Sequence, residues 1–468
     1  MLDFREKIIT VMGLGAYQKG SGVGAVRFLL GRAKRVIITD IKSEKDLKEQ
    51  IAQVRVWRKS LPPSKVQTEV VWHLGGHQKE DFEKVDMVVR NPDVPWYSPF
   101  LSFARQNKVP IENDITLFLG IYGVEQVVGI TGTRGKTTTT HLIYEMICAE
   151  HAHARLGGNV GESPLLWFIG ARGDELIKKH PPVVLELSSF MLHNFKDLKK
   201  SPRVSVITNL YQDHLNKYKD FDEYVRDKEQ IFLHQHETDT VVLNADDARV
   251  RACADRARSR VLFFSLKKKV EDGACIENKW FVLRARGISK KIAQVSTIKL
   301  LGAHNQANIL AALCAAHAYG VAPASMKKVI ASFKGVPNRL ELIANSNGIA
   351  WYNDCTSTSP EAAIAGLRSF PARKIILITG GNTKGSDLTE LARVIKERAR
   401  EVILFPGNAN KDLQEGHDVA DTQEAVEKAY TVARKGDVVL LSPGLTWLPV
   451  INEFKRGEEF IKEVKKIV

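Results

Sequence analysis

The stretch Val127–Thr140, VVGITGTRGKTTTT, constrains this chain more than any other. Val127, Val128 and Ile130 form a short β-branched run suited to a buried strand. Gly132 to Thr137 read G-T-R-G-K-T, and a helix is predicted from Thr138 to Cys148. In a strand–turn–helix of this kind, backbone N–H groups of a glycine-rich turn close around phosphate oxygens. The helix N-terminus adds positive partial charge to the same site. Lys136 then brings a full charge to the β- and γ-phosphates, and the Thr137 hydroxyl is a Mg²⁺ ligand. The usual spacing G-x-x-x-x-G-K-[ST] needs glycine at position 130, where Ile130 stands; Gly129 comes one residue early. The loop is therefore a variant, T-G-T-R-G-K-T.

A chain of 468 residues exceeds one hydrophobic core, and at roughly 100–200 residues per domain it predicts about three. No stretch approaches the ~20 apolar residues of a membrane span, so no membrane insertion is expected. The N-terminal MLDFREKIITVMG mixes acids and bases before a short apolar strand, which is not the order of a signal peptide. The five cysteines (Cys148, Cys253, Cys275, Cys314, Cys355) are odd in number and lack C-x-x-C spacing. That predicts a cytoplasmic, reducing location with no disulfide framework and no zinc site. The formal charge of +14 is spread along the chain with only modest clusters such as Lys267–Lys269. No basic stripe interleaved with aromatics accompanies it, so it reads as a solvated surface that draws anionic substrates rather than nucleic acid.

In order, Lys7–Met12 is predicted as a strand, followed by the glycine-rich Gly13–Gly24, a helical AVRFLL, and a strand Val36–Thr39 ending at Asp40. This is a Rossmann-like opening, and it is compatible with any nucleotide diphosphate. Gly15 lies in its turn, and Asp40 is either a ribose or base acceptor or a plain strand-end acid. Val85–Val89 is a further strand, leading to a proline-forced loop, Arg90–Pro95. The second region carries the phosphate loop, a second glycine-rich turn at Gly157–Gly161, and the strand Val183–Leu187 with Glu186 inside it. A carboxylate in a buried strand is costly unless paired or holding a metal, which points Glu186 to Mg²⁺. The strand Val204–Thr208 ends in NLYQDHLNKY, so Asn209, Asp213 and His214 emerge where open α/β sheets build sites. Tyr224–Phe232 is predicted as a helix holding Lys228, by itself an ordinary helical lysine. Residues 259–300 read as short strands and turns. LGAHNQAN from Leu301 opens a long alanine-rich helix whose first turn is polar. Pro337 breaks the pattern near Arg339. The last region alternates strand and helix again, with polar loops NDCTSTSP, GGNTKG and SPGLTW each following a strand. All three loops are expected at one sheet edge, with Asp354 and Lys384 at a ligand site.

The fold class is thus α/β in three domains: N-terminal Rossmann-like, central P-loop ATPase with a mainly parallel sheet, and C-terminal Rossmann-like. Boundaries fall at 1–114, 115–336 and 337–468. Taken together, GTRGKTTTT, LELSSF, NLYQDHLNKY with the downstream Lys228, GAHNQAN and NRLE resemble the Mur ligases, ATP-dependent amino-acid ligases of peptidoglycan assembly. Within that family the GLG opening, NPDVP, NDITLF and FKRGEEF resemble the MurD type. That resemblance implies a monomer that joins D-glutamate to UDP-N-acetylmuramoyl-L-alanine with ATP, through an acyl phosphate.

The resemblance also assigns residues. Gly132, Thr133, Arg134, Gly135, Lys136, Thr137 and Thr138 would hold ATP, with Asn305 and Asn308 (beside His304) toward adenine and Arg339 and Asp354 as further contacts. Two Mg²⁺ ions are implied, through Thr137, Glu186, His214 and Lys228. Lys228 would act as a carbamate made with CO₂, because an ammonium cannot bind a cation whereas a carbamate offers anionic oxygens. Lys136, His214 and Lys228 are the implied catalytic set. Gly15, Asp40, Asn159, Ser188, His214, Thr358, Lys384, Thr446 and Phe454 are the implied substrate contacts, Lys384 pairing with the incoming carboxylate.

The chain departs from the family pattern at three places. Thr356 stands where a lysine is usual in the Asp354 loop, SPGLTW replaces a serine-bearing loop so that the substrate position falls at Thr446 or Trp447, and Met191 replaces a common glutamine. These changes leave three alternatives open. The chain is a ligase of the same fold for L-glutamate or another amino acid, one with a folylpolyglutamate synthase-like substrate, or a Mur-like nucleotide binder without catalysis. A dehydrogenase would also fit residues 7–40, but no hydride-transfer site accompanies that opening.

Overall fold

The computed structural model describes residues 3–15, 18–212, 217–383, 387–413, 415–445 and 453–468. The expected residues His214, Lys384 and Thr446, together with Asp213 and Trp447, lie outside that set. The described residues are α/β throughout, with three separate sheets. The first contains β1 (Ile8–Met12), β2 (Arg35–Asp40), β3 (Glu69–Leu74), β4 (Met87–Arg90) and β5 (Ile111–Glu112), in the order β3-β2-β1-β4-β5. All four pairings are parallel. The strand order reverses between β1 and β4, and the loops after these two strands flank the crevice where such sheets bind ligands.

The second sheet is built from β6 (Val127–Thr131), β7 (Arg155–Gly158), β8 (Val183–Glu186), β9 (Val204–Ile207), β10 (Thr240–Asn244), β11 (Arg260–Ser265), β12 (Gly273–Glu277), β13 (Trp280–Ala285) and β14 (Ile288–Gln294). Its order is β14-β13-β12-β11-β10-β9-β6-β8-β7. From β7 through β12 every pairing is parallel, and β12–β13 is antiparallel. The central strands are buried at every position, as VVGIT and VSVI show. Continuous apolar runs of this kind are what a sheet covered on both faces requires. Here the reversal falls between β6 and β9, so the loops after those strands share a crevice.

The third sheet comprises β15 (Glu341–Ser346), β16 (Ile349–Asn353), β17 (Ile375–Gly380), β18 (Ala399–Phe405), β19 (His417–Asp418) and β20 (Val438–Leu441), ordered β15-β16-β20-β17-β18-β19. Only β15–β16 is antiparallel. The long helix Ala303–Tyr319 precedes it.

By compactness the chain forms two units, Met1–Ala293 with Asn308–Val329, and Gln294–Ala307 with Ile330–Val468. In the first unit one apolar core runs through the first two sheets, from Val11 and Val36 to Leu185 and Leu243. The helix Asp114–Tyr122 joins them. Asn113 caps it through a reciprocal box with Thr116, and Phe118 packs on Trp167 and Phe168 with centroids 5.5 and 5.4 Å apart. In the second unit, apolar clusters line both faces of the third sheet, around Trp351 and Ile376 on one and around Leu377 and Leu440 on the other. Among the described residues no helix is long and apolar enough to cross a membrane.

Candidate active site

Strand β6 ends at Thr131 and the helix Lys136–Cys148 begins five residues later, so the turn between them is tight. It is made possible by two glycines. Gly135 sits at φ +80° as the N-cap, and a Cβ there would lie 2.4 Å from Asn308 Oδ1. At Gly132, φ is +145° and a Cβ would overlap Thr208 Oγ1. The loop is gripped from the end of β9. Asn209 accepts from Arg134 N at 2.7 Å and donates to Arg134 O at 2.9 Å, and Thr208 Oγ1 donates to the same carbonyl at 2.7 Å. Thr133 N donates to Asn209 O at 2.9 Å. Thr133 Oγ1 meets the Tyr224 hydroxyl at 3.0 Å and accepts from Tyr211 N at 3.0 Å.

Two lysines converge on the carbonyls of this loop. Lys136 Nζ donates to Gly132 O at 2.9 Å and to Thr133 O at 3.1 Å. Lys228, buried on the helix Phe221–Glu229, donates to Gly132 O at 2.9 Å and lies 3.4 Å from Thr131 Oγ1. The lysine that reads from sequence as an ordinary helical residue is thus buried with its amine on the phosphate loop, its Nζ also 4.7 Å from the Tyr224 ring.

Glu186 occupies the end of β8, directly opposite Ile130 in the parallel register. It is 1% exposed; Oε1 accepts from Asn159 Nδ2 at 2.8 Å, while among the described residues Oε2 is buried without a hydrogen-bond partner. An anionic oxygen left open in the interior is costly, and a hard cation is the partner its chemistry suits. Ser188, two residues on, caps the short helix Ser189–Leu192 by accepting from Met191 N. Asn308 closes the other side of the loop, with Thr139 Oγ1 donating to its Oδ1 at 3.3 Å. Asn305, three residues earlier, falls in the second unit, where its amide donates to Leu301 O at 2.7 Å.

At the edge of the first sheet, Asp40 is 5% exposed and accepts from Leu14 N at 2.8 Å and from Lys42 N at 2.9 Å. A Cβ on Gly15 (φ +83°) would lie 2.8 Å from Asn91 Nδ2, so the loops after β1, β2 and β4 do meet.

In the second unit two of the three loops expected together, those after β16 and β20, are bonded together, and the end of β17 is bonded to the second of them. Asp354 N donates to Leu441 O at 2.8 Å, Ser442 Oγ donates to Asp354 Oδ2 at 3.0 Å, and Gly444 N donates to Ser357 O at 2.8 Å. Thr379 Oγ1 donates to Pro443 O at 2.8 Å. Burial pushes the Asp354 carboxyl up to about 6, against the Ser357, Leu340 and Ser442 hydrogen bonds that favour its charge. Arg339 is exposed and adds a further lowering influence. Thr356 Oγ1 is spent on Asn338 O at 2.8 Å, Thr358 is half-buried, and Phe454 stands 44% exposed on the helix Glu453–Ile467. A cavity of about 480 Å³ in this unit is lined by Gly302, His304, Ile364, Ala365, Arg368 and Ser369. Burial lowers the His304 imidazole below its ordinary value.

Family models match along the chain: a Mur ligase MurD-like N-terminal domain at residues 7–113, a Mur ligase middle domain at 130–316, and a Mur ligase glutamate ligase domain at 338–445. The chain is 36% identical to the UDP-N-acetylmuramoylalanine–D-glutamate ligase of Roseiflexus sp. (strain RS-1), over 99% of both chains. It belongs to the Mur ligase family. The ligase of the same name from Clostridioides difficile (strain 630) is 31% identical over the full length of both. Among solved structures, MurF ligase from Thermotoga maritima in complex with ADP superposes with a TM-score of 0.59 at 17% identity, covering 100% of each chain. That likeness is one of fold.

Several residues of this Mur ligase site carry no motif. Tyr224 and Thr208 grip the loop, and Arg90 at the end of β4 is 1% exposed and pairs with no carboxylate among the described residues. Its guanidinium donates to Pro92 O, Val94 O, Phe190 O and Asn194 Oδ1, tying the first sheet to the segment after β8. Burial lowers its pKa to about 10, so it stays charged at neutral pH. The one signal in sequence was a charge closing an apolar strand, MVVR.

Proposed function

We propose that this chain is an ATP-dependent ligase that adds D-glutamate to UDP-N-acetylmuramoyl-L-alanine in peptidoglycan precursor synthesis. The observation that carries the reading is similarity over the whole chain, 36% identity covering 99% of it, to a relative named for that reaction. The geometry is of the kind the reaction needs. A carboxylate is a poor acyl donor, so its oxygen first attacks the γ-phosphorus of ATP; the amine of glutamate then attacks the acyl carbon and phosphate leaves. Lys136, on the loop at Gly132 and Thr133, offsets charge on the transferring phosphoryl group. The loop amides from Gly132 to Thr138 would orient the triphosphate, and the family resemblance assigns Asn305, Asn308, Arg339 and Asp354 as further ATP contacts.

Mg²⁺ fits the residues present: among the described residues Glu186 Oε2 has no hydrogen-bond partner, and Thr137 stands in the first turn of the adjoining helix. When bound, the ions would neutralise phosphoryl charge. Glu186 and Thr137 would hold one, and His214 with a carbamylated Lys228 the other. An ammonium cannot ligate a cation, so this role for Lys228 requires the carbamate form, whose oxygens are anionic, while its remaining N–H could still donate to Gly132 O. Gly15 and Asp40 would take the sugar nucleotide, Asn159 and Ser188 its acyl end, and Thr358, Lys384, Thr446 and Phe454 the glutamate. The domains would be 1–114, 115–336 and 337–468, in a cytoplasmic monomer.

Phosphate release with ATP and Mg²⁺, omitting each substrate in turn, tests this. Release is expected only with UDP-N-acetylmuramoyl-L-alanine and D-glutamate together, and L-glutamate is expected to give little. Release without the sugar nucleotide, or a preference for L-glutamate, would overturn the assignment.

A further inference from the structure

The helix Phe221–Glu229 carries a second buried charge one residue before Lys228. Asp227 is 6% exposed, and its two carboxylate oxygens lie 3.1 and 3.0 Å from His193 Nδ1. His193 Nε2 is 2.9 Å from Lys196 Nζ. An ammonium only donates, so Nε2 accepts from it and the ring proton resides on Nδ1, facing Asp227. His193 therefore bridges the Asp227 carboxylate and the Lys196 amine, and it is itself buried.

This bridge is held from the first sheet. Trp96, in the segment after β4, stacks on the His193 imidazole with centroids 4.7 Å apart and an interplanar angle of 22°. Trp96 also meets Tyr218 at 4.6 Å, and Tyr218 meets Tyr224 edge-on at 5.3 Å. Tyr224 closes the circuit, reaching Thr133 of the phosphate loop with its hydroxyl and Lys228 Nζ with its ring.

A nine-residue helix has little stability of its own, so tertiary contacts set its rotation. Consecutive helical residues leave the axis about 100° apart. Fixing Asp227 therefore fixes the direction in which Lys228 departs. A displacement of ~1 Å in a reacting group can cost ~10²-fold in rate, so the register of this helix matters to any chemistry at the loop. Resting on the functional reading above, we propose that His193 is a positioning residue for Lys228. With Asp227 and Trp96 it sets the rotation of the helix, and so holds Lys228 on the phosphate loop where the second divalent cation would bind.

The test compares the full-length wild type with His193→Ala, His193→Asn, Trp96→Leu and Lys228→Ala. Mn²⁺ binding is measured by electron paramagnetic resonance with a non-hydrolysable ATP analogue, alongside kcat, KM for ATP and Tm. Wild type is expected to bind two ions and Lys228→Ala one. His193→Ala is expected to bind the second ion at least tenfold more weakly and to lose at least tenfold in kcat, with KM for ATP within threefold. His193→Asn, whose amide N–H can replace Nδ1–H toward Asp227, restores both to within threefold of wild type. Unchanged second-ion affinity in His193→Ala, or equal losses in the Ala and Asn variants, overturns the positioning role. If His193→Ala does not fold, Trp96→Leu decides, by a three- to tenfold weaker second ion or, against the proposal, no change. A wild type that binds one ion, indistinguishable from Lys228→Ala, would instead overturn the functional reading.

Discussion

Gly135 shows how a single residue governs the phosphate loop. Its φ of +80° and the 2.4 Å approach of Asn308 Oδ1 leave no room for a side chain. Gly135→Ala is expected to cost about 1–3 kcal/mol in urea unfolding and to weaken ATP-analogue binding at least tenfold in a fluorescence titration. Asp354 makes a different prediction, because the fold raises its pKa from 3.8 to about 6. Below about pH 4 both native and unfolded forms carry the proton. Between about pH 4 and 6 only the unfolded form has released it, so this residue's contribution to stability declines as pH rises and levels off above pH 6. Asp354→Asn should lack that slope. The stability difference between wild type and variant should shift by about 1–3 kcal/mol against wild type across the window. Residues of this kind divide by how visible they were in sequence. Lys136 and Thr137 are read from spacing alone, because the loop chemistry dictates their order. Lys228 is not, since helical lysines are common and only the tertiary fold brings its amine to Gly132 O. His193, Asp227 and Trp96 have no pattern at all, because their contacts span 34 and 97 residues of chain.

At the scale of elements, the strands that position the site were legible because parallel, two-face-buried strands read as unbroken apolar runs. VVLE, VSVI and IILITG, mostly apolar and buried at every position, are examples. The helix bearing Lys228 begins at Phe221 rather than Tyr224, because Asp220 caps it by accepting from Glu223 N, a signal upstream of the apolar pattern. The short β7, RLGG, carried no strand pattern, and its place at the sheet edge comes from pairing with β8. Asn113 is the clearest single support between elements. Its side chain caps the helix Asp114–Tyr122 at Ile115 N and Thr116 N, and its amide donates to Met191 O at 2.8 Å. Asn113→Ala removes a cap and leaves a buried carbonyl unpaired, so a loss of about 2–4 kcal/mol is expected in chemical denaturation.

For the whole molecule, the charge of +14 belongs with substrates that are all anionic. Screening acts on encounter rather than on chemistry, so raising NaCl from ~50 to ~500 mM should lower kcat/KM for the sugar nucleotide several-fold while kcat changes little. The chain's division into two compact units was only half legible, because the helix Ala303–Tyr319 changes allegiance at Asn308 without any break in its sequence pattern. The cysteines expected to be unpaired are free, and they fall on both sides of that division: Cys253, Cys275 and Cys314 are buried in the first unit and Cys355 in the second. Burial raises each of these thiols above its ordinary pKa, Cys253 and Cys355 to about 12, so none forms the reactive thiolate while its unit is closed. The protein thus carries a natural timer in each half. Pulse alkylation followed by peptide mass mapping should register Cys355 on one clock and Cys253 and Cys314 on another, and a nucleotide that steadies only one half should slow only that half's clock.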